Sequence, residues 1–156
     1  MSGTFQIRGG KQLHGEITPQ GAKNEALQIL CAVLLTDEEV RIKNIPDIHD
    51  VNRLIEILGD LGVKVTKNGH GDYTFKSDEV NMDYFKSEEF KKDGAKLRGS
   101  IMLLGPMLAR YGEAYMPTPG GDKIGRRRLD THFQGFVDLG AEFKYDEEQN
   151  YYSLKA

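Results

Sequence analysis

The apolar positions of the chain change period several times, and each change predicts an element. Residues 24–35, NEALQILCAVLL, and 97–109, LRGSIMLLGPMLA, are apolar on nearly every face, the pattern of helices buried all round rather than half-exposed. Pro106 falls inside the second and predicts a bend, because it removes a backbone donor and crowds the preceding turn. In DVNRLIEILGDLG, the residues Val51, Leu54, Ile55, Leu58 and Leu61 recur at helical spacing, and Gly62 is the stop. Leu129, Phe133, Phe136 and Val137 repeat that arrangement ahead of Gly140. Each of these helices runs into a stretch that predicts a hairpin, VKVTKNGHGDYTFK with its Asn68-Gly69 turn signal and AEFKYDEEQNYYSLK.

The same order of elements occurs twice because the chain repeats itself. GAKNEALQILCAVLL from Gly21 matches GAKLRGSIMLLGPMLA from Gly94, an offset of 73 residues. At that offset EVRIKNIP, ending at Pro46, lies over GEAYMPTP, ending at Pro119. DLGVKV from Asp60 then matches DLGAEF from Asp138, now at an offset of 78, so the second copy carries five extra residues between Pro119 and Asp138. Each copy reads as helix, strand, helix, strand, strand, which makes the fold class α/β (α+β). Helices apolar on all sides need cover on all sides. Further repeats of a longer chain, or a second copy of this one through self-association, are the two ways to supply it.

Composition narrows the function classes. The 156 residues are 38% hydrophobic and 29% charged, as expected of soluble globular structure, and their net charge of -3 argues against a general binder of nucleic acid. No apolar run approaches the ~18 residues that cross a bilayer, and MSGTFQIRGG lacks the basic and apolar stretches of a secretory leader. No nucleic-acid or membrane partner is therefore expected. With Cys31 as the single cysteine there is no internal disulfide, so a reducing, cytoplasmic setting is expected. His14, His49, His70 and His132 show no metal-ligand spacing, and the common phosphate-loop, dinucleotide and serine-hydrolase signatures are missing.

Three places carry candidate chemistry. Lys23 and Asn24 enter a buried helix, where a cation, an amide and free backbone donors together suit a phosphate or carboxylate. The plainer reading is that Asn24 caps the helix and Lys23 points to solvent. The second copy keeps the lysine as Lys96 but has Leu97 in place of the asparagine. Arg98 stands at the start of the second apolar helix, where a charge is costly unless it is paired or faces a ligand; a surface arginine with a packed stem is the alternative. The segment TPGGDKIGRRRLD, Thr118 to Asp130, holds the insertion. Its glycines and its cluster of Lys123, Arg126, Arg127 and Arg128 suit a lid over an anionic ligand, against the alternative of a solvated basic turn.

At these residues the chain resembles a known family. GAKNEALQIL, LRGSIMLLGPMLAR and PGGDKIGRRRLDTH resemble, in order and spacing, the N-terminal part of the UDP-N-acetylglucosamine 1-carboxyvinyltransferase family. The resemblance implies transfer of the enolpyruvyl group of phosphoenolpyruvate to the 3-hydroxyl of UDP-N-acetylglucosamine, without metal or organic cofactor. It implies an inside-out α/β barrel with three repeats per domain. This chain would hold two of them, residues 19–78 and 79–156, the second including the catalytic loop 118–128. Residues 1–18 would be a strand segment belonging to the other domain. A chain of this length would be about a third of the enzyme and inactive alone.

Residue by residue, the resemblance implies that Lys23 and Asn24 meet phosphoenolpyruvate and the amino sugar and that Arg98 binds substrate. Arg127, Arg128, Leu129, Asp130 and Thr131 would hold the uridine diphosphate, although the family usually has proline where Arg128 stands. Asp122 falls where the family usually has the loop cysteine that acts as general acid toward C3 of phosphoenolpyruvate and is alkylated by fosfomycin; some members carry aspartate there. The shikimate-pathway enolpyruvyl transferase and a non-catalytic sugar-nucleotide-binding module are the alternatives.

Overall fold

The computed structural model describes residues 3–120 and 128–156. The first unit opens with α1 (Lys23–Ala32), which tightens into a 3-10 turn at Val33–Leu35, and continues through β1 (Glu39–Ile42), α2 (His49–Asp60), β2 (Lys64–Gly69) and β3 (Asp72–Lys76). The second begins with two helices that the sequence pattern does not predict, α3 (Met82–Phe85) and α4 (Glu88–Lys96). A 3-10 segment, Arg98–Leu103, leads into α5 (Leu104–Tyr111), β4 (Glu113–Pro117), α6 (Asp130–Asp138), β5 (Glu142–Asp146) and β6 (Tyr151–Lys155).

Each unit builds one antiparallel three-stranded sheet, and the two have the same strand order, β1-β3-β2 and β4-β6-β5. The last strand of each unit sits in the middle, between its hairpin partner and the strand that precedes the second helix. The first hairpin turns at His70-Gly71, two residues beyond the Asn68-Gly69 signal. Gly69 stays in the ladder opposite Asp72 across a register shift, and Gly71 takes the left-handed conformation, φ 64°.

A single core spans both units. Leu30, Leu34, Leu54, Leu58 and Phe75 of the first are fully buried with Phe85, Phe90, Leu103, Leu104 and Met107 of the second. The apolar helices pack on one another: α1 lies against the 3-10 segment, where a Cβ on Gly99 would come within 2.9 Å of Leu27 Cδ1. Arg110 on α5 donates through Nη1 to the carbonyls of Leu34 (3.0 Å) and Thr36 (2.9 Å), closing the open end of the first unit's 3-10 turn.

One expectation changes. The helix around Pro106 is not α-helical throughout; it runs as 3-10 over Arg98–Leu103 and as α from Leu104, with Pro106 the third residue of α5. Within this chain the apolar helices keep an open side, since Ile29 is 43% and Leu35 53% exposed on faces that nothing among the described residues covers. Residues 3–20 form neither helix nor strand and stand exposed, with Phe5, Ile7, Leu13 and Ile17 turned to solvent. A strand needs a neighbour for its N–H and C=O groups, and among the described residues this segment has none.

Candidate active-site corner

Lys23 is the first residue of α1, and Asn24 follows it, exposed. Ala22 occupies the N-cap position, and no described side chain caps this end. Asn24 is therefore not the cap, and Lys23 does not simply point to solvent: its Nζ is 2.7 Å from Asp50 Oδ2 in the first turn of α2. That pair is half-exposed, so it positions the ammonium more than it stabilises the fold.

The end of α4 is the second part of the corner. Ser87 accepts a hydrogen bond from Phe90 N and starts the helix, and three residues from its end Asp93 accepts from Lys96 Nζ at 3.2 Å. The backbone then changes to an extended conformation at the buried Leu97, and half-buried Arg98 opens the 3-10 segment. The buried Ser100 hydroxyl lies 2.6 Å from Leu97 O and 2.8 Å from Gly94 O, holding this junction closed. The start of the glycine-rich segment rests on the same turn. A Cβ on Gly120 would sit 1.9 Å from Ala95 O, so only glycine permits that approach.

Between α2 and the α4 end lies an open cleft of about 280 Å³, lined by His49, Asp50, Arg53, Glu56, Lys96 and Leu97. Arg53 bridges its two walls, donating through Nη1 to Glu56 Oε2 at 2.6 Å and through Nη2 to Asp93. The carboxylate partners, Glu56 first, hold the Arg53 guanidinium above its ordinary pKa.

The structure thus gathers Lys23, Asn24, the Arg98 junction and the Gly120 end of the basic segment onto adjoining elements. Past that segment, Arg128 lies exposed and forms a two-point pair with Asp130, Nε to Oδ1 at 3.0 Å and Nη2 to Oδ2 at 2.6 Å. Leu129 is half-buried before α6, and Thr131 is exposed on its first turn. Asp122 and Arg127, with Lys123 and Arg126, lie outside the described residues. Sequence reasoning missed Asp50, Arg53 and Asp93. Only Lys96, as the repeat counterpart of Lys23, carried a signal toward this corner.

A family model described as EPSP synthase (3-phosphoshikimate 1-carboxyvinyltransferase) matches residues 7–156. The chain belongs to this family. Among curated proteins it is 57% identical over 153 residues to the UDP-N-acetylglucosamine 1-carboxyvinyltransferase of Bacteroides thetaiotaomicron, covering 98% of this chain and 35% of that one. It is 58% identical over the same shares to the protein of that name from Bacteroides fragilis, and 44% identical over 139 residues to that of Borreliella burgdorferi, covering 89% of this chain and 31% of the relative. The chain thus spans about a third of the length of the curated relatives it matches.

Among solved structures, the enolpyruvyl transferase NikO from Streptomyces tendae superposes with a TM-score of 0.72 at 23% identity, over 95% of this chain and 31% of that one. EPSP synthase from Acinetobacter baumannii gives 0.52 at 12%, over 90% and 32%. These likenesses show the fold, and it is the enolpyruvyl transferase fold implied by the sequence resemblance.

Proposed function

We propose that this chain supplies one wall of the active site of an enzyme that transfers the enolpyruvyl group of phosphoenolpyruvate to the 3-hydroxyl of UDP-N-acetylglucosamine, releasing phosphate. The observation that carries the reading is its identity, 57% over 98% of the chain, to relatives named for that reaction. Lys23 at the N-terminus of α1 adds support from geometry, because a cation beside a helix N-terminus suits an anionic substrate.

In this reading Lys23 and Asn24 meet phosphoenolpyruvate and the amino sugar, Arg98 binds substrate, and Arg127 through Thr131 hold the uridine diphosphate. Asp122 is the acid. Protonation of C3 makes C2 of phosphoenolpyruvate electrophilic, the sugar hydroxyl adds at C2 and gives up its proton, and loss of phosphate with a C3 proton restores the double bond. A carboxyl with an ordinary pKa near 3.9 does this when exclusion of water raises its pKa toward neutrality. No metal or cofactor enters. The reaction would be the first committed step of peptidoglycan synthesis, in the cytoplasm, and so a requirement for cell shape and division. Residues 19–78 and 79–156 would be two of three repeats of one domain, with 1–18 pairing in the other.

The test is a chimera in which this chain replaces the matching first third of the Bacteroides thetaiotaomicron relative. The chimera is expected to release phosphate from phosphoenolpyruvate only when UDP-N-acetylglucosamine is present, and the 156-residue chain alone to release none, because catalysis here is relative positioning of two bound reactants. A chimera that folds and releases no phosphate overturns the proposal.

A further inference from the structure

The Arg53–Asp93 ion pair beneath the α4 end has no part in the reaction as proposed, yet it joins the two units at this corner. Asp50 and Arg53 stand three residues apart on α2, one turn of the same helix face. Asp50 takes Lys23 of the first unit, and Arg53 takes Asp93 of the second, while Asp93 also accepts from Lys96. The Arg53–Asp93 pair differs from the surface pairs around it. Its side chains are only 26% and 13% exposed, and the guanidinium fork is committed on two sides, to Glu56 and to Asp93. The pair is part-buried and links α2 to α4, so it ties the turn that carries Asp93 to the first unit. On that same turn rest the Gly120 backbone, against Ala95 O, and the Leu97–Arg98 junction.

We propose that Arg53 is a positioning residue for the transfer: by fixing Asp93 against α2 it sets where Arg98 and the root of the glycine-rich segment stand relative to Lys23. Arg53 itself touches no substrate. The inference rests on the functional reading above, so it is tested in the same chimera. Arg53→Met and Asp93→Asn are each expected to raise KM for UDP-N-acetylglucosamine about tenfold with kcat changed much less, the pattern of lost binding made equally in ground and transition states. Arg53→Lys, which keeps a cation but not the fork, should recover part of that loss. The double variant should be no worse than the worse single one, since both remove the same link.

Unchanged KM in Arg53→Met, or a loss in the double variant equal to the product of the single losses, overturns the inference while leaving the functional reading intact. Equal falls in kcat and in the amount of folded enzyme, with KM unmoved, would show a purely structural pair and overturn it as well. If the unmutated chimera transfers nothing, the functional reading fails and the positioning role fails with it.

Discussion

Lys23 and Lys96 occupy the same place in two copies of one motif, yet their partners come from different directions. Lys23 is held by Asp50 from α2, and Lys96 by Asp93 from its own helix. The lysines were legible because the repeat aligns them; the partners were not, because no local pattern says which of 24 acidic residues will meet a given cation. Arg53 and Asp93, 40 residues apart, meet only once α2 and α4 have packed. At Asp122 the sequence is the more informative source. In the chimera Asp122→Asn should remove most turnover and leave UDP-N-acetylglucosamine binding nearly unchanged, as measured by calorimetry; wild-type turnover would show that another group is the acid. A carboxylate is also a poorer target for an epoxide than a thiolate, so preincubation with fosfomycin should cause no time-dependent inactivation.

The elements divide by the strength of their apolar period. Helix α2 and the two hairpins have clear periods and formed close to where the pattern set them, and Ile57, outside the named apolar spacing, is fully buried as well. α3 was invisible because it spans only four residues, and α4 because it is short and mostly polar. Their signals were caps: Asn81 accepts from Asp83 N and Tyr84 N, and Ser87 from Phe90 N. These helices are tied to the second sheet by charge. Lys86 Nζ lies 2.6 Å from Glu113 Oε1 on β4 and 5.1 Å from the centre of the Tyr115 ring, and it holds the Glu113 carboxyl below its ordinary pKa. A carboxyl with a lowered folded-state pKa adds stability above its unfolded value and loses it as pH falls through the folded one. Lys86→Met should therefore lower the melting temperature at neutral pH, with the gap to wild type closing below both pKa values. A gap of constant size in circular dichroism melts across that range would show that Lys86 acts through packing alone.

At the scale of the whole molecule, two sheets of identical strand order share one core, while apolar residues of the first segment and of α1 remain turned outward. The repeat made the two-unit plan legible in advance. The pairing of α1 with the Arg98–Leu103 segment was not, since it depends on Gly99 admitting Leu27. In the proposed reading the outward residues face the remainder of the enzyme, and the corner formed by α1, α2 and the α4 end is the wall this chain contributes. The family model is described for a 3-phosphoshikimate transferase and the curated relatives for a UDP-N-acetylglucosamine transferase, so the acceptor is the point on which the proposal turns. The most direct measurement offers the chimera phosphoenolpyruvate with both acceptors at equal concentration and identifies the product by mass spectrometry. The expected product is enolpyruvyl UDP-N-acetylglucosamine with an equivalent of phosphate; enolpyruvyl shikimate phosphate as the main product would contradict the proposed function.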